Sequence, residues 1–328
     1  MSIVDRIDAV TGIPQELIGR TVLPVPKSVK IELSPRCNLR CGFCSLRTRK
    51  DQPTTDMDFD LFKRITTEMR ELGVEEIGLF YLGESMMNPD LLTRALEWCK
   101  HELRFPYVFL TSNGGLAEPG IVNTLMFLGL DSLKWSVNAC SPEQYEQIMG
   151  VGSKYFYKAI SNIQEAWRIR ERGGYRTKLY ASSIRFDGEQ HARMEAFVKE
   201  TILPYVDEWY ELPLYGMSMT AEAVAQRIGY RPTHGNQGRI DPATGLPNRD
   251  PLPCWSTIME GHVRYDGHFA LCCFSADDRF DVGSLKDQGF MEVWNSKKMQ
   301  DVRAAQWRTI KEGPGALAGT PCEVCAAY

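Results

Sequence analysis

Cys37, Cys41 and Cys44 stand in a Cys-x-x-x-Cys-x-x-Cys spacing, a compact set of soft donors. Ten cysteines fill about 3% of the 328 positions, so two more at these intervals by chance has odds of about one in a thousand per starting cysteine. Thiols clustered this tightly read as a metal site before they read as structural cysteines. Three thiolates fall short of the four usual for structural zinc or for an ordinary [4Fe–4S] cluster. A three-thiolate cluster leaves one iron open to a ligand that is not protein, as catalytic metal sites do. A zinc ion completed by one of the five histidines is the other reading of the same spacing.

A second group follows much later. Cys254 precedes twelve residues, Gly267, four more and Cys272, and Cys322-x-x-Cys325 comes after. Cys254, Cys272, Cys322 and Cys325 offer four thiolates, a set that suits a [4Fe–4S] cluster or a structural zinc. Cys273 is either an alternative ligand to Cys272 or a separate thiol. Cys140 stands apart from both groups, and a buried cysteine more often behaves as a small hydrophobe.

From about residue 28 to 214 short apolar stretches alternate with amphipathic ones. Strands are expected at 29–33, 77–82, 107–110, 132–137, 179–184 and 208–212. In the first helical stretch Leu61, Ile65, Met69 and Leu72 recur at helical spacing, with Gly73 where a C-cap belongs. Further helices are expected at 91–99, 121–128, 155–172 and 189–201. Six strand–helix units imply right-handed crossovers and a parallel sheet. Six are too few for a closed eight-stranded barrel, so the expected fold is α/β, a partial (β/α)6 TIM-type barrel. Its chemistry belongs at the C-terminal ends of the strands, where the first cysteine group lies.

The pattern lapses between 214 and 253, and 230–253 is rich in Gly, Pro and Asn, as linkers are. Stretches 262–264 and 269–272 flank Asp266-Gly267, a hairpin signal, and helices are expected around 291–294 and 299–306. The expected division is an N-terminal extension (1–27), the barrel (28–213), a bridging loop (214–253) and a small α+β domain (254–328).

Hydrophobic content of 43% and charged content of 24% fit a soluble globular chain. No apolar run approaches the ~20 residues of a membrane span. Asp5, Arg6, Asp8 and Glu16 interrupt the N-terminal apolar residues, so a signal peptide is not expected and the cytoplasm is. A net charge of −4 argues against nucleic acid as the main partner. Arg47-Thr48-Arg49-Lys50 is a local basic run, read equally as a solvated turn or as a clamp for an anionic substrate.

The stretch Leu33-Ser34-Pro35-Arg36-Cys37-Asn38-Leu39-Arg40-Cys41-Gly42-Phe43-Cys44 resembles the signature of the radical S-adenosylmethionine superfamily. The resemblance implies that S-adenosyl-L-methionine binds the open iron and is cleaved by one electron to a 5′-deoxyadenosyl radical. The electron would come from a flavodoxin or ferredoxin. It also implies that Phe43 lies against the adenine and that Glu84, in Leu82-Gly83-Glu84, receives the methionine ammonium. Ser136 and Asn138 would meet the ribose, and Ser183 and Arg185 the cofactor's carboxylate and ribose. Asn113-Gly114 reads as a turn, and Leu212 as core or an adenine contact. The later cysteines resemble the twitch domain, a shorter relative of the SPASM domain, which implies one auxiliary [4Fe–4S] cluster.

The organisation is most similar to that of 2-deoxy-scyllo-inosamine dehydrogenases. That implies oxidation or rearrangement of a small polar molecule in a biosynthetic pathway, with the auxiliary cluster accepting an electron. Radical modification of a peptide is a second reading, and ~27 N-terminal residues are few for a leader-binding domain. Epimerisation with Cys140 or Cys273 as donor is a third, and a non-catalytic iron–sulfur or zinc scaffold a fourth. Trp209, Tyr210, Glu211 and the loop with Arg231, His234 and Arg239 are candidate pocket residues.

Overall fold

The structure is a computed structural model that describes residues 2–47, 52–214, 221–230, 233–235, 238–239, 243, 253–273 and 278–323. Cys325, Arg231 and residues 48–50 of the basic run lie outside these, as do the side chains of Arg47, His234 and Arg239.

Helix α1 (Ile3–Thr11) comes first, its N-terminus closed by a capping box between Ser2 and Asp5. Strand β1 (Ser28–Ile31) follows, then α2 (Phe59–Leu72), β2 (Glu76–Gly78) and α3 (Pro89–Glu97). Next are β3 (Tyr107–Ser112), α4 (Pro119–Phe127) and β4 (Ser132–Ser136). Two helices, α5 (Pro142–Met149) and α6 (Lys154–Gly173), separate β4 from β5 (Lys178–Ile184). The repeat ends with α7 (Gly188–Phe197) and β6 (Glu208–Leu212).

Strands β1 to β6 pair in sequence order, all parallel. Their period-two alternation gives the sheet two different faces. Val29, Ile31, Ile77, Val108, Leu133 and Leu179 are fully buried. Their alternates Ser28, Lys30, Glu76, Phe109, Ser132, Lys134 and Tyr180 line an interior cavity. The expected open barrel is therefore present, with a mainly apolar and aromatic lumen that also holds a few charged side chains.

Beyond β6 lie α8 (Ala221–Ile228) and a two-residue ladder of β7 (His234–Gly235) with β8 (Gly238–Arg239). The C-terminal region holds α9 (Ser256–Met259), β9 (Glu260–Val263), β10 (His268–Ala270), β11 (Asp281–Ser284), α10 (Phe290–Trp294) and α11 (Lys297–Glu312). The expected hairpin is β9–β10, turning at Asp266-Gly267, where Gly267 takes φ 81°. It does not stand apart. Strand β9 pairs parallel with β1 over four residues, so the sheet runs β11-β10-β9-β1-β2-β3-β4-β5-β6.

The structure adds α1, α5, α9 and β11 to the expected elements, places α8 and the β7–β8 ladder in the stretch expected as a bridging loop, and shortens β2. The 77–82 stretch leaves the ladder early because Ser85 Oγ donates to the Leu79 carbonyl at 2.6 Å and the chain turns. Among the described residues, no helix is long and apolar enough to cross a membrane.

Candidate active site

The loop after β1 carries the first three cysteines, all half-buried. Its course is fixed from three sides. Asp56 accepts from Ser34 Oγ (2.7 Å), from the Arg36 guanidinium (2.5 and 3.1 Å) and from Asn88 Nδ2 (2.7 Å). Burial pushes the Asp56 carboxyl up, but these bonds together outweigh it and hold it below the usual range. On a second side, Arg40 N and Gly42 N donate to the carbonyls of Met149 and Ile148, each at 2.8 Å. These are C-terminal carbonyls of α5, which have no acceptor role left inside the helix. Gly42 also lets α8 close in, since a methyl there would lie 2.5 Å from Ile228 Cγ2.

The third side is the loop after β2. Gly83 N donates to Glu32 Oε1 (3.2 Å) and Glu84 N to the Arg36 carbonyl (2.8 Å). A methyl group on Gly83 would sit 1.9 Å from the Ser34 carbonyl oxygen, so only glycine permits this approach. Leu82 is buried with Leu46, against Cys37, Cys44 and Tyr81.

Glu84 is 2% exposed, and its carboxylate accepts from Met86 N (3.1 Å), Ser112 Oγ (3.1 Å) and Asn113 N (2.9 Å). It thus ties the β2 loop to the end of β3. Burial raises its pKa, and those three hydrogen bonds recover only part of the shift. Asn113 does more than turn the chain. Its Nδ2 donates to Asn38 Oδ1 (2.8 Å) and lies 3.9 Å from Cys37 Sγ.

Ser136 and Asn138 line one narrow cavity with Asn113 and Tyr145. The Tyr145 hydroxyl is buried there without a hydrogen-bond partner among the described residues, and Asn38 Nδ2 is likewise buried without one. Burial, then the neighbouring Cys41, Cys37 and Glu84, push the Tyr145 phenol up. Phe43 is half-buried against the core. Ser183 Oγ accepts from Trp209 Nε1 (3.0 Å), and Arg185, just past β5, is exposed. Cys140 is half-buried; burial raises its thiol, against the opposing charge of Arg193 on α7.

The residues present fit an iron–sulfur cluster with an open site. Leu39 N, at 3.4 Å, and Asn113 Nδ2 both point donors at Cys37 Sγ, which suits a thiolate ligand. The orphaned hydroxyl and amide leave polar groups for a bound molecule to satisfy.

Below the loop, the lumen encloses about 320 Å³. Helix α1 closes its lower end through Ile3, Arg6, Ile7 and Val10. Arg6 bonds Glu76 and lies 3.2 Å over the Tyr107 ring, while Ile3 N donates to the Glu208 carboxylate. Tyr210 and Leu212 line the cavity, whereas Trp209 is turned to Ser183 and Glu211 lies 3.2 Å from His191 on α7. Tyr81, Trp255, Glu260 and Cys273 wall the same space from the C-terminal side.

Sequence reading missed the polar network joining the two parts. Lys30 Nζ is 2.7 Å from Glu260 Oε2, and His262 Nε2 is 3.1 Å from the same oxygen. Burial works against the Glu260 charge, but Lys30 and His262 outweigh it and bring its pKa down to about 2. Burial keeps His262 neutral by lowering its pKa, against the pull of Glu260. Tyr81 packs on the His262 ring at 5.6 Å, and its hydroxyl donates to the Cys272 carbonyl at 2.6 Å. The polar alternation Lys30, Glu32, Ser34 was the available signal, and it names no partners.

Cys254 and Cys272 are buried in the main core, with Cys322 half-buried against it. Cys254 N donates to Gln306 Oε1 (3.0 Å) on α11, and Cys322 N to Thr320 Oγ1 (3.2 Å). Neighbours Cys272 and Cys273 therefore part company: one enters the core, the other the lumen wall.

The chain matches the family described as "Radical SAM superfamily" over residues 31–197, about half its length. It matches the "Iron-sulfur cluster-binding domain", SPASM, over residues 254–326. It is 31% identical over 127 residues to a "Probable GTP 3',8-cyclase" of Methanococcus maripaludis, covering 39% of this chain and 41% of that protein. The chain thus spans about two fifths of the length of the curated relatives it matches. Streptococcus suis SuiB bound to precursor peptide SuiA has a TM-score of 0.62 at 16% identity, covering 85% of this chain and 67% of that one. BtrN in complex with AdoMet and 2-DOIA has a TM-score of 0.55 at 16% identity, covering 93% of this chain and 99% of that one. At such identities the structural likeness is one of fold. The match over half the chain, on an open parallel barrel with its thiol loop at the strand ends, makes this protein a member of the radical SAM superfamily with a C-terminal SPASM domain, whose cofactors are S-adenosylmethionine, a radical-generating [4Fe–4S] cluster and an auxiliary [4Fe–4S] cluster.

Proposed function

We propose that the protein oxidises or rearranges a small polar substrate held in the barrel lumen, with help from the auxiliary cluster. One observation carries this reading: the C-terminal region supplies Glu260 and Cys273 to the same cavity wall as Lys30, Lys134 and Tyr210 of the barrel. A substrate in that space touches both parts of the chain. Cys37, Cys41 and Cys44 would hold the radical-generating cluster, and Cys254, Cys272, Cys322 and Cys325 the auxiliary one. When bound, the first cluster and S-adenosylmethionine supply a hydrogen-abstracting radical.

The chain's own residues then do the positioning. Asn113, Ser136 and Asn138 offer hydrogen bonds to the cofactor, and Phe43 an apolar face. Arg185 offers a guanidinium at the end of β5 to a carboxylate. Glu84 acts as the brace that holds the Gly83 turn in place beside them. Glu260, kept ionised by Lys30, accepts a hydrogen bond from a substrate hydroxyl. Cys272, turned into the core, is the better ligand of the adjacent pair. A flavodoxin or ferredoxin is the proposed electron source.

A second reading, radical modification of a peptide, takes support from the fold likeness to SuiB, solved with its precursor peptide. The two are separated on anaerobically reconstituted protein with dithionite. Deuterium should pass from a labelled small polyol or amino-alcohol into 5′-deoxyadenosine, with a product oxidised by two electrons. Cys37→Ala should abolish 5′-deoxyadenosine formation; Cys322→Ala should keep it but lose the oxidised product. Normal product from Cys322→Ala would refute the auxiliary role. Deuterium passing only from a labelled peptide would replace the first reading with the second.

A further inference from the structure

The lumen wall is not electrically balanced. Among the described residues it carries three cations, Arg6, Lys30 and Lys134, and two carboxylates, Glu76 and Glu260. Arg6 is paired with Glu76 and Lys30 with Glu260. Lys134 has no carboxylate within 4 Å among the described residues; its ammonium lies 5.8 Å from the centroid of the Tyr210 ring. It sits midway along β4, flanked in register by Thr111 on β3 and Tyr180 on β5, whose side chains also line the cavity.

Lys134 is half-buried in an aromatic-walled space, with no counter-charge in contact among the described residues, so an anion entering there meets a cation that no carboxylate already holds. We infer that Lys134 binds an anionic group of the substrate, a carboxylate or a phosphate, while Phe80, Phe109 and Tyr210 pack on its body. The hydroxyls of Thr111 and Tyr180 flank the anion as further donors. A cavity of about 320 Å³ lies at the small end of ligand pockets, which favours a compact molecule. Along the strand Lys134 stands two residues before Ser136, about 6.6 Å deeper by the usual rise. The anion would therefore anchor the far end and leave the rest of the molecule near the strand ends. This inference rests on the proposed function only in taking the lumen as the substrate's place.

Calorimetric titration of the reconstituted holoprotein with phenylacetate, phenyl phosphate and the neutral phenylacetamide tests it. At least one anion should bind about tenfold more tightly than the amide, and whichever binds better identifies the preferred anion. Lys134→Met should bring both anions to the amide's affinity while leaving amide binding in place, which also shows that the variant is folded. Lys134→Arg should keep the preference. Equal binding of acid and amide, a preference that survives Lys134→Met, or no binding of either anion would each overturn the inference. These titrations need no turnover, so a failure to form 5′-deoxyadenosine would sink the proposed function and leave this result standing.

Discussion

At Gly83 the loop after β2 passes so close to Ser34 that a single methyl group has nowhere to go. The neighbouring atom is a backbone carbonyl in the segment that leads directly into Cys37, so relief would have to come from the cysteine loop itself. Gly83→Ala is expected to destabilise the protein by about 1–3 kcal/mol, as overpacking does. It should also lower the iron retained per chain after reconstitution, measured by iron assay beside a denaturation curve. Unchanged iron with unchanged stability would mean that the two loops are not packed as described. The three cysteines were legible from residue type and spacing, and Glu84 only through the family resemblance. The Glu84 environment was not, because a sequence does not say that Ser112 and Asn113 arrive at its carboxylate from another strand.

The elements that hold the cysteine loop act through their ends. Helix α5 has local signals throughout: Ser141 as N-cap, Pro142 in the first turn and Gly150 after the last. Its eight residues lie between β4 and the longer α6, so a single-helix crossover absorbed it. Gly150 takes φ 65°, and a methyl there would come 2.6 Å from the Arg40 carbonyl oxygen. Gly150→Ala therefore combines a left-handed backbone cost with a clash on the cysteine loop. The expected loss is about 1–3 kcal/mol, with cluster bleaching in air faster than in the parent, followed at the iron–sulfur absorbance. An alanine variant that bleaches at the parental rate would remove α5 from the support of the site.

On the scale of the whole molecule, the barrel and the C-terminal region share one sheet and one buried charge network. Lys30, Glu260 and His262 meet across the β1–β9 ladder, where a broken ion pair would cost about 3–5 kcal/mol. His262 donates from Nε2 to Glu260, and its Nδ1 faces no partner among the described residues. That arrangement suits a neutral ring; a second proton would be buried unpaired. The unfolded chain takes up this proton near pH 6.5 and the folded protein excludes it. Stability should therefore fall as pH drops below about 6.5, by up to about 1.4 kcal/mol per pH unit from this one group. Glu260 adds a loss in the same direction between pH 4.5 and about 2. Denaturation midpoints at pH 7.5 and 5.5 should differ less in His262→Gln than in the parent; equal differences would exclude His262 as the source.

The sequence by itself determined the cysteine pattern and the α/β architecture that carries it. Cysteine spacing is local, and six alternating strand–helix units call for a parallel sheet with too few strands to close an eight-stranded barrel. The hairpin at Asp266-Gly267 was equally local, set by turn residues and a glycine at positive φ. Where that hairpin goes was decided by tertiary structure, because strand pairing across more than two hundred residues leaves no trace in either partner's sequence. The same holds for α1 beneath the lumen, for Cys273 facing the cavity while Cys272 does not, and for Lys134 with no carboxylate partner among the described residues. Burial, partners and charge balance belong to the space between elements, and only the folded chain defines that space.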